Sequence, residues 1–416
     1  VGAAVRAVAA PFLRARIRPV AELEAVLPRP TGAPQVHSSG TDHDRVLVAG
    51  GGAAVGWGVR SHDLALPGQL ARALSVATGR GSLVDVAAVP GVTIEALNAQ
   101  LRTRDLTSHD AVVVVIGVAD AARLIPERRW RQAVEALVET IEQVASASTE
   151  LVVVGIQPLS SAPGLDVAVG GLADRWAAHL NTVTRAVLAE QQLTSYVAPP
   201  EVEHEIAADD HRSTDFYRAY AHAVASPLSL LLTRHAEEAD RGLAPSRAAR
   251  MQPQAVERRL ADETALRLLG SGSDVRLDRV VEHARSLFGT ASAAFTVLDD
   301  DRQRNVARSG QPLLEIPLAE SICRTTIRAS RAHVVSSSPS GETLLPGSPL
   351  RFYAGYPVES PDGVRIGALC VFDTEPRDPA SIDVDLLRDL AMSIQQQLWA
   401  DGGERLDGVE SELPAA

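Results

Sequence analysis

The stretch VLVAGGGAAVGWGV, residues 46–59, sets glycines where an apolar run gives way to a helix-like segment. Glycines at such a place let a phosphate approach backbone N–H groups at a helix N-terminus. Gly50, Gly52 and Gly56 form G-x-G-x-x-x-G, a loose variant of the dinucleotide fingerprint. That fingerprint also needs a ribose-binding acid about 20 residues on. The nearest acid, Asp85, lies 35 residues after Gly50 and early in its strand, so the dinucleotide reading is weak. RSHD sets Ser61, His62 and Asp63 side by side. Neighbouring side chains point in different directions and cannot make a triad by themselves. PPEVEHEIAADDH holds Glu201, Glu203, His204, Glu205, Asp209, Asp210 and His211. These residue types suit a hard or borderline metal, but no tight ligand spacing appears, and a solvated acidic loop is the reading we adopt. We expect no metal and no cofactor. The cysteines, Cys323 and Cys370, leave two readings open: redox-sensing thiols or buried inert side chains. Arg351, Phe352 and Tyr353 either line a pocket or pack a sheet, with alternation putting Phe352 on the face opposite its neighbours.

The elements that must position these residues change character along the chain. From about 44 to 235, the apolar runs RVLVAG, LVDVAAV, AVVVVIG, LVVVGI and TSYVA alternate with amphipathic stretches. Trp130, Val134, Leu137, Val138, Ile141 and Val144 recur at helical spacing. Valine-rich strands separated by helices imply a parallel sheet covered on both faces, here a five-stranded, three-layer α/β domain. HAEEADRGLAPSRAARMQP, 235–253, reads as a connector. Beyond it, helical stretches flank the strands SAAFTVLD, RFYAGYPV and RIGALCVFD, and DVDLLRDLAMSIQQQL reads as a closing helix. That order suggests an α+β domain with an antiparallel sheet. We therefore expect an N-terminal helical extension over 1–43, an α/β domain over 44–235, a linker over 236–254, an α+β domain over 255–402 and a disordered acidic tail over 403–416.

Composition excludes several classes. The 416 residues are 45% hydrophobic and 22% charged, which is globular composition. A net charge of −12 disfavours nucleic-acid backbone binding. The 40 basic residues are all arginine, which removes any P-loop lysine or lysine Schiff base. Two cysteines are too few for a secreted disulfide framework. No apolar run approaches the ~20 residues of a membrane span. The opening VGAAVRAVAAPFLRARIRPV has four arginines and no acid. It reads as a helix packed on the first domain rather than a membrane-surface helix, because Pro11 and Pro19 interrupt it. It also lacks the unbroken apolar core of a signal peptide. These features lead us to expect a cytoplasmic protein.

Four blocks in order, AGGGAAVGWGV, VPGVT, IGVAD and DDHRSTDFYRAYA, resemble the SGNH/GDSL esterase–lipase family. The resemblance covers about 190 residues and implies a flavodoxin-like fold. It places the nucleophile at Gly52 and the residue before it at Gly51. The oxyanion-type backbone donors fall on Gly52 and Gly91, and the family asparagine on Ala119, beside Asp120. The general base falls on His211, and the acid that should orient it on Ala208. Glycine and alanine supply neither a nucleophile nor a side-chain donor, so His211 reads as vestigial.

Residues 255–400 resemble GAF sensor domains through ESICRTTI, LRFYAGYPV and GVRIGALCVFDTEPR. That likeness implies a six-stranded antiparallel sheet with a ligand pocket on one face. It also implies pairing through the flanking helices, here around 256–269 and 383–398. Candidate ligand contacts are Cys323, Arg351, Tyr353 and Cys370, for a small molecule of unknown identity. Cys323 is followed by Arg324 rather than the histidine of bilin-binding members, and Asp373 and Arg377 read as fixing a turn. Together the two resemblances imply a homodimeric sensory or regulatory protein whose esterase-like domain is catalytically degenerate. The alternative is an active ester hydrolase with a rebuilt site, regulated by the sensor domain.

Overall fold

Strands that are almost continuous valine must be covered on both faces, and helices supply that cover. The computed structural model describes residues 27–30, 34–38, 40, 43–159, 167–200, 214–243, 263–270, 274–299, 301–311, 316–329, 332–337, 343–345, 348–360 and 364–410. The chain divides into two compact units, Val1–Ala244 and Pro245–Ala416.

The first unit is built on a six-stranded sheet. Its strands are β1 (Gln35–Ser38), β2 (Asp44–Gly50), β3 (Ser82–Ala88), β4 (Ala111–Val115), β5 (Glu150–Val154) and β6 (Thr194–Val197). The spatial order is β1-β3-β2-β4-β5-β6. Strands β2 to β6 pair in parallel, in the flavodoxin-like order. The sheet is mixed rather than wholly parallel, because β1 adds to β3 antiparallel. QVHS is too short to show a period, so this edge strand escapes a reading by pattern.

Alternation along each strand sorts the core into two layers. Leu47, Ala49, Val112, Val114, Leu151 and Val153 face one cluster. It is completed by α2 (Ile94–Leu101), α4 (Glu127–Val144) and α5 (Val167–Leu188). Val46, Val48, Val113, Val115, Val152 and Val154 face the other, under α1 (Leu66–Thr78) and α6 (Thr214–Asp240). All six apolar positions read at helical spacing in α4 are buried. Helix α6 runs to Asp240, past residue 235, where we expect the connector to begin.

The second unit has a six-stranded, all-antiparallel sheet in the order β10-β11-β12-β7-β8-β9. Its strands are β7 (Ser292–Leu298), β8 (Arg302–Gly310), β9 (Ile316–Pro317), β10 (His333–Ser336), β11 (Phe352–Glu359) and β12 (Arg365–Asp373). One face packs on α7 (Glu263–Gly270), α8 (Val275–Phe288) and α10 (Val384–Glu410). The other carries a smaller cluster beneath the short α9 (Cys323–Thr326). Phe352 joins the helix-covered layer and Tyr353 the opposite one. Asp373 accepts from the Arg377 Nε at 2.8 Å and from the Thr374 N–H at 2.8 Å, which fixes the expected turn. Helix α10 continues to Glu410, through most of the tail for which we expect no order. Lengthening an existing helix gains one hydrogen bond per residue ordered and needs no new nucleus.

Candidate functional site

Chain order in the sheet reverses at β2, so the carboxyl ends of β2 and β4 flank the switch point where open α/β sheets place their ligands. Three loops meet there. The Val89 N–H donates to the Gly50 oxygen at 2.9 Å, and the Gly51 N–H donates to the Val115 oxygen at 2.8 Å. These bonds stitch the loops after β2, β3 and β4 together. Gly50 has φ +120°, and a Cβ on it would strike the Val115 carbonyl, so this position admits only glycine.

Gly52 opens a single 3-10 turn, Gly52–Val55, and has φ +56°. A Cβ built there would meet only Val118 Cγ2 at 3.8 Å and Val115 Cγ1 at 4.0 Å. The position therefore has room for a side chain, and hydrocarbon lines it. In the loop after β3, Gly91 is exposed, and nothing lies within 4 Å of its would-be Cβ. Among the described residues, neither the Gly52 nor the Gly91 N–H meets an acceptor. Both are backbone donors at positions where the family resemblance implies an oxyanion.

Asp120 sits in α3 (Val118–Ala122), directly after Ala119, and is 2% exposed. Its carboxylate accepts from the Ile94 N–H, the first of α2, at 3.1 Å. Burial pushes this carboxyl up to about 6, against the opposing pull of the Ile94 hydrogen bond and the Arg123 charge. The bond ties the start of α2, just after the loop carrying Gly91, to α3, which carries Ala119. On the far side, the Tyr217 hydroxyl donates to the Trp57 carbonyl at 2.6 Å, fixing the segment after the 3-10 turn to α6. His211 and Ala208, like Asp209, Asp210 and the rest of the 201–211 acidic run, lie outside the described residues.

The adjacent Ser61, His62 and Asp63 do not form a relay. The Ser61 hydroxyl donates to Asp63 at 2.9 Å, and among the described residues the buried Nδ1 of His62 has no partner. Burial lowers His62 to about 4, so it stays neutral at physiological pH. Among the described residues, no three His, Cys, Asp or Glu side chains converge to hold a metal. No helix there is long and apolar enough to cross a membrane.

A buried network that the sequence reading missed lies toward the opposite ends of the strands. Asp85 accepts from Arg45 Nε at 2.8 Å and from Gln35 Nε2 at 2.5 Å, and it pairs with His109 Nε2 at 2.8 Å. Burial alone would raise Asp85, but Arg45 and His109 hold it well below the usual carboxylate range. So Asp85 serves the sheet and not a ribose.

In the second unit, three of the four candidate ligand residues come together. The sulfurs of Cys323 and Cys370 lie 3.3 Å apart, and the Tyr353 hydroxyl is 3.2 Å from Cys370 and 3.5 Å from Cys323. Ala294, Leu298, Ile327, Leu350, Ala368 and Phe372 enclose them. Arg351 points elsewhere, its Nε donating to Ser337 at 3.2 Å.

Comparison with known proteins agrees with both architectures. Residues 48–223 match the GDSL-like Lipase/Acylhydrolase family, and residues 273–398 match the GAF domain. A cyclic di-GMP phosphodiesterase of Pseudomonas aeruginosa is 31% identical over 153 residues, which are 35% of this chain and 26% of that protein. The chain thus spans about a quarter of that relative's length. The carbohydrate acetylesterase Est24 of Sinorhizobium meliloti aligns at 16% identity and a TM-score of 0.38, over 45% of this chain and 99% of its own. The PixJ GAF domain of Thermosynechococcus elongatus aligns at 17% identity and a TM-score of 0.27, over 39% of this chain and 99% of its own. The chain joins a GDSL-like lipase/acylhydrolase domain to a C-terminal GAF domain.

Proposed function

We propose that this chain is a cytoplasmic regulatory protein in which the hydrolase-like domain binds rather than turns over its ligand, and the GAF domain senses a small molecule within a homodimer. The observation that carries this reading is Gly52. The position at the head of the switch-point cleft has no oxygen to attack with, and its side-chain space is bounded by valine methyl groups. Loss of a serine nucleophile costs on the order of 10⁶ in kcat in comparable hydrolases. Alanine at 119 forfeits a further roughly 10²–10³ where an oxyanion donor is lost. The N–H groups of Gly52 and Gly91, which meet no acceptor among the described residues, support retained binding of a small, oxygen-rich group. The phosphodiesterase relative supports a signalling setting.

The test is turnover of short p-nitrophenyl esters by the purified full chain. The reading expects no rate above the protein-plus-buffer background. A rate that collapses in His211→Ala would instead establish an active ester hydrolase with a rebuilt site.

A further inference from the structure

The two cysteines stand 47 positions apart in the chain, yet their sulfurs are 3.3 Å apart inside a largely apolar cluster. Cys323 opens α9 and Cys370 lies within β12. Both are almost wholly buried, at 1% and 0% exposure. A disulfide needs sulfurs at about 2.05 Å, so a small movement of α9 against β12 would close the gap. The chain holds no other thiol, so each sulfur has one intramolecular partner available.

The surroundings are arranged for chemistry as well as for packing. The Tyr353 hydroxyl reaches both sulfurs and also hydrogen-bonds Thr326 Oγ1, which in turn lies 3.3 Å from Nδ1 of the half-buried His333. This is a hydrogen-bonded path from the thiols toward the surface. The two sulfurs are also unlike. Burial would raise Cys323, but hydrogen bonds from Cys370, Thr296, Tyr353 and Ser321 draw it below the ordinary thiol value. Burial pushes Cys370 well above it. A thiol drawn below its ordinary value beside one pushed above it is the division of labour an attacking and a resolving cysteine need.

We propose that Cys323 and Cys370 are a reversible oxidation site, closing to an intramolecular disulfide when a small hydroperoxide enters the cluster. In the first step the Cys323 sulfur attacks the peroxide and the O–O bond breaks. Cys323 becomes a sulfenic acid, and its proton leaves with the departing oxygen, as water from hydrogen peroxide or as an alcohol from an alkyl hydroperoxide. In the second step Cys370 attacks the Cys323 sulfur and the S–O bond breaks. The Cys370 proton passes by way of the Tyr353 hydroxyl, which contacts both sulfurs, to the departing hydroxide, and water leaves. The two thiols lose two electrons, and the peroxide gains them. Partly buried Leu318, Ile322, Leu344 and Leu345 cover the cluster, and their opening admits an oxidant of water-like size. Closure removes two S–H groups from this face of the GAF sheet.

The experiment uses the reduced full chain, treated with hydrogen peroxide and then denatured for thiol titration and intact-mass measurement. The expected result is loss of both thiols in a monomeric chain lighter by two hydrogens, reversed by dithiothreitol. Cys370→Ser should then accumulate a dimedone-reactive sulfenic acid at Cys323, and Cys323→Ser should not. The wild-type result stands without the variants should either fail to fold. Retention of both thiols under excess peroxide, or oxidation only to sulfinic acid or to disulfide-linked dimers, would overturn the proposal.

Discussion

Replacing Asp120 by asparagine should stabilise the first unit, and only where the aspartate is charged. Burial raises this carboxyl from 3.8 to about 6. An acid whose folded value is raised binds its proton more tightly in the native state than in the unfolded one. Stability is therefore highest below the unfolded value and falls as pH rises through the window between the two, staying low above it. The shift corresponds to roughly 3 kcal/mol, an upper bound for the gain at about pH 8. Asparagine retains an oxygen to accept the Ile94 N–H, which lies 3.1 Å from the carboxylate, so the tie between the loops survives. It also removes the repulsion from Glu95. Urea unfolding followed by tryptophan fluorescence is the assay, with Trp57, Trp130 and Trp176 reporting on this unit. The variant should gain stability at about pH 8 and match the wild type near pH 3.5. Equal or lower stability at the higher pH would refute the argument, since it would mean the loops need the charge itself.

Three further outcomes follow from the same geometry. Asp85→Ala should destabilise the first unit by about 3–5 kcal/mol, because it strands the buried Arg45 and His109 without their carboxylate. Asp85 is depressed in the fold, so its contribution is full above its ordinary value and disappears as the pH falls, which acid titration of unfolding should reveal. Combining Gly51→Asp, Gly52→Ser, Ala119→Asn and Ala208→Asp should restore ester hydrolysis. The Gly52 position has space for the new side chain, although its φ of +56° costs on the order of 1 kcal/mol for a residue with a Cβ. A folded quadruple variant without activity would mean the cleft has drifted from a hydrolase geometry. If the second unit oxidises as proposed, closing a loop across 47 positions should raise its unfolding free energy by about 4 kcal/mol, read by urea titration of oxidised against reduced chain.

The parts legible in the sequence were those where pattern and burial coincide. The four valine-rich runs are strands because both faces are covered, whereas TSYVA forms the half-buried edge strand β6; the α4 apolar positions repeat because one face is covered. Strand β8, RQRNVARSG, gives no such signal. It is flanked in the sheet by the two-residue β9, and only Gln303 and Ala307 are buried along it. The network around Asp85 was invisible for another reason. Its members, Gln35, Arg45 and His109, come from segments joined only by folding. The thiol pair was half legible, since both cysteines could be singled out by type but not their separation. Arg351 is grouped with Tyr353 by alternation, yet it precedes β11, and its long side chain reaches Ser337, just past the end of the neighbouring β10. The first three of the four ordered blocks fall on loops after β2, β3 and β4, because the ends of parallel strands recur at fixed topological positions whatever residues they carry; the DDHRS of the fourth lies outside the described residues.

The central claim, that Gly52 leaves the hydrolase-like domain without a nucleophile, is tested most directly by covalent labelling. The full chain, incubated with an excess of a fluorophosphonate, is examined by intact mass, with the quadruple variant as the positive control. The account predicts an unmodified wild-type chain and a stoichiometric adduct on the serine introduced at position 52. A stoichiometric adduct on the wild-type chain, lost in His211→Ala, would contradict it.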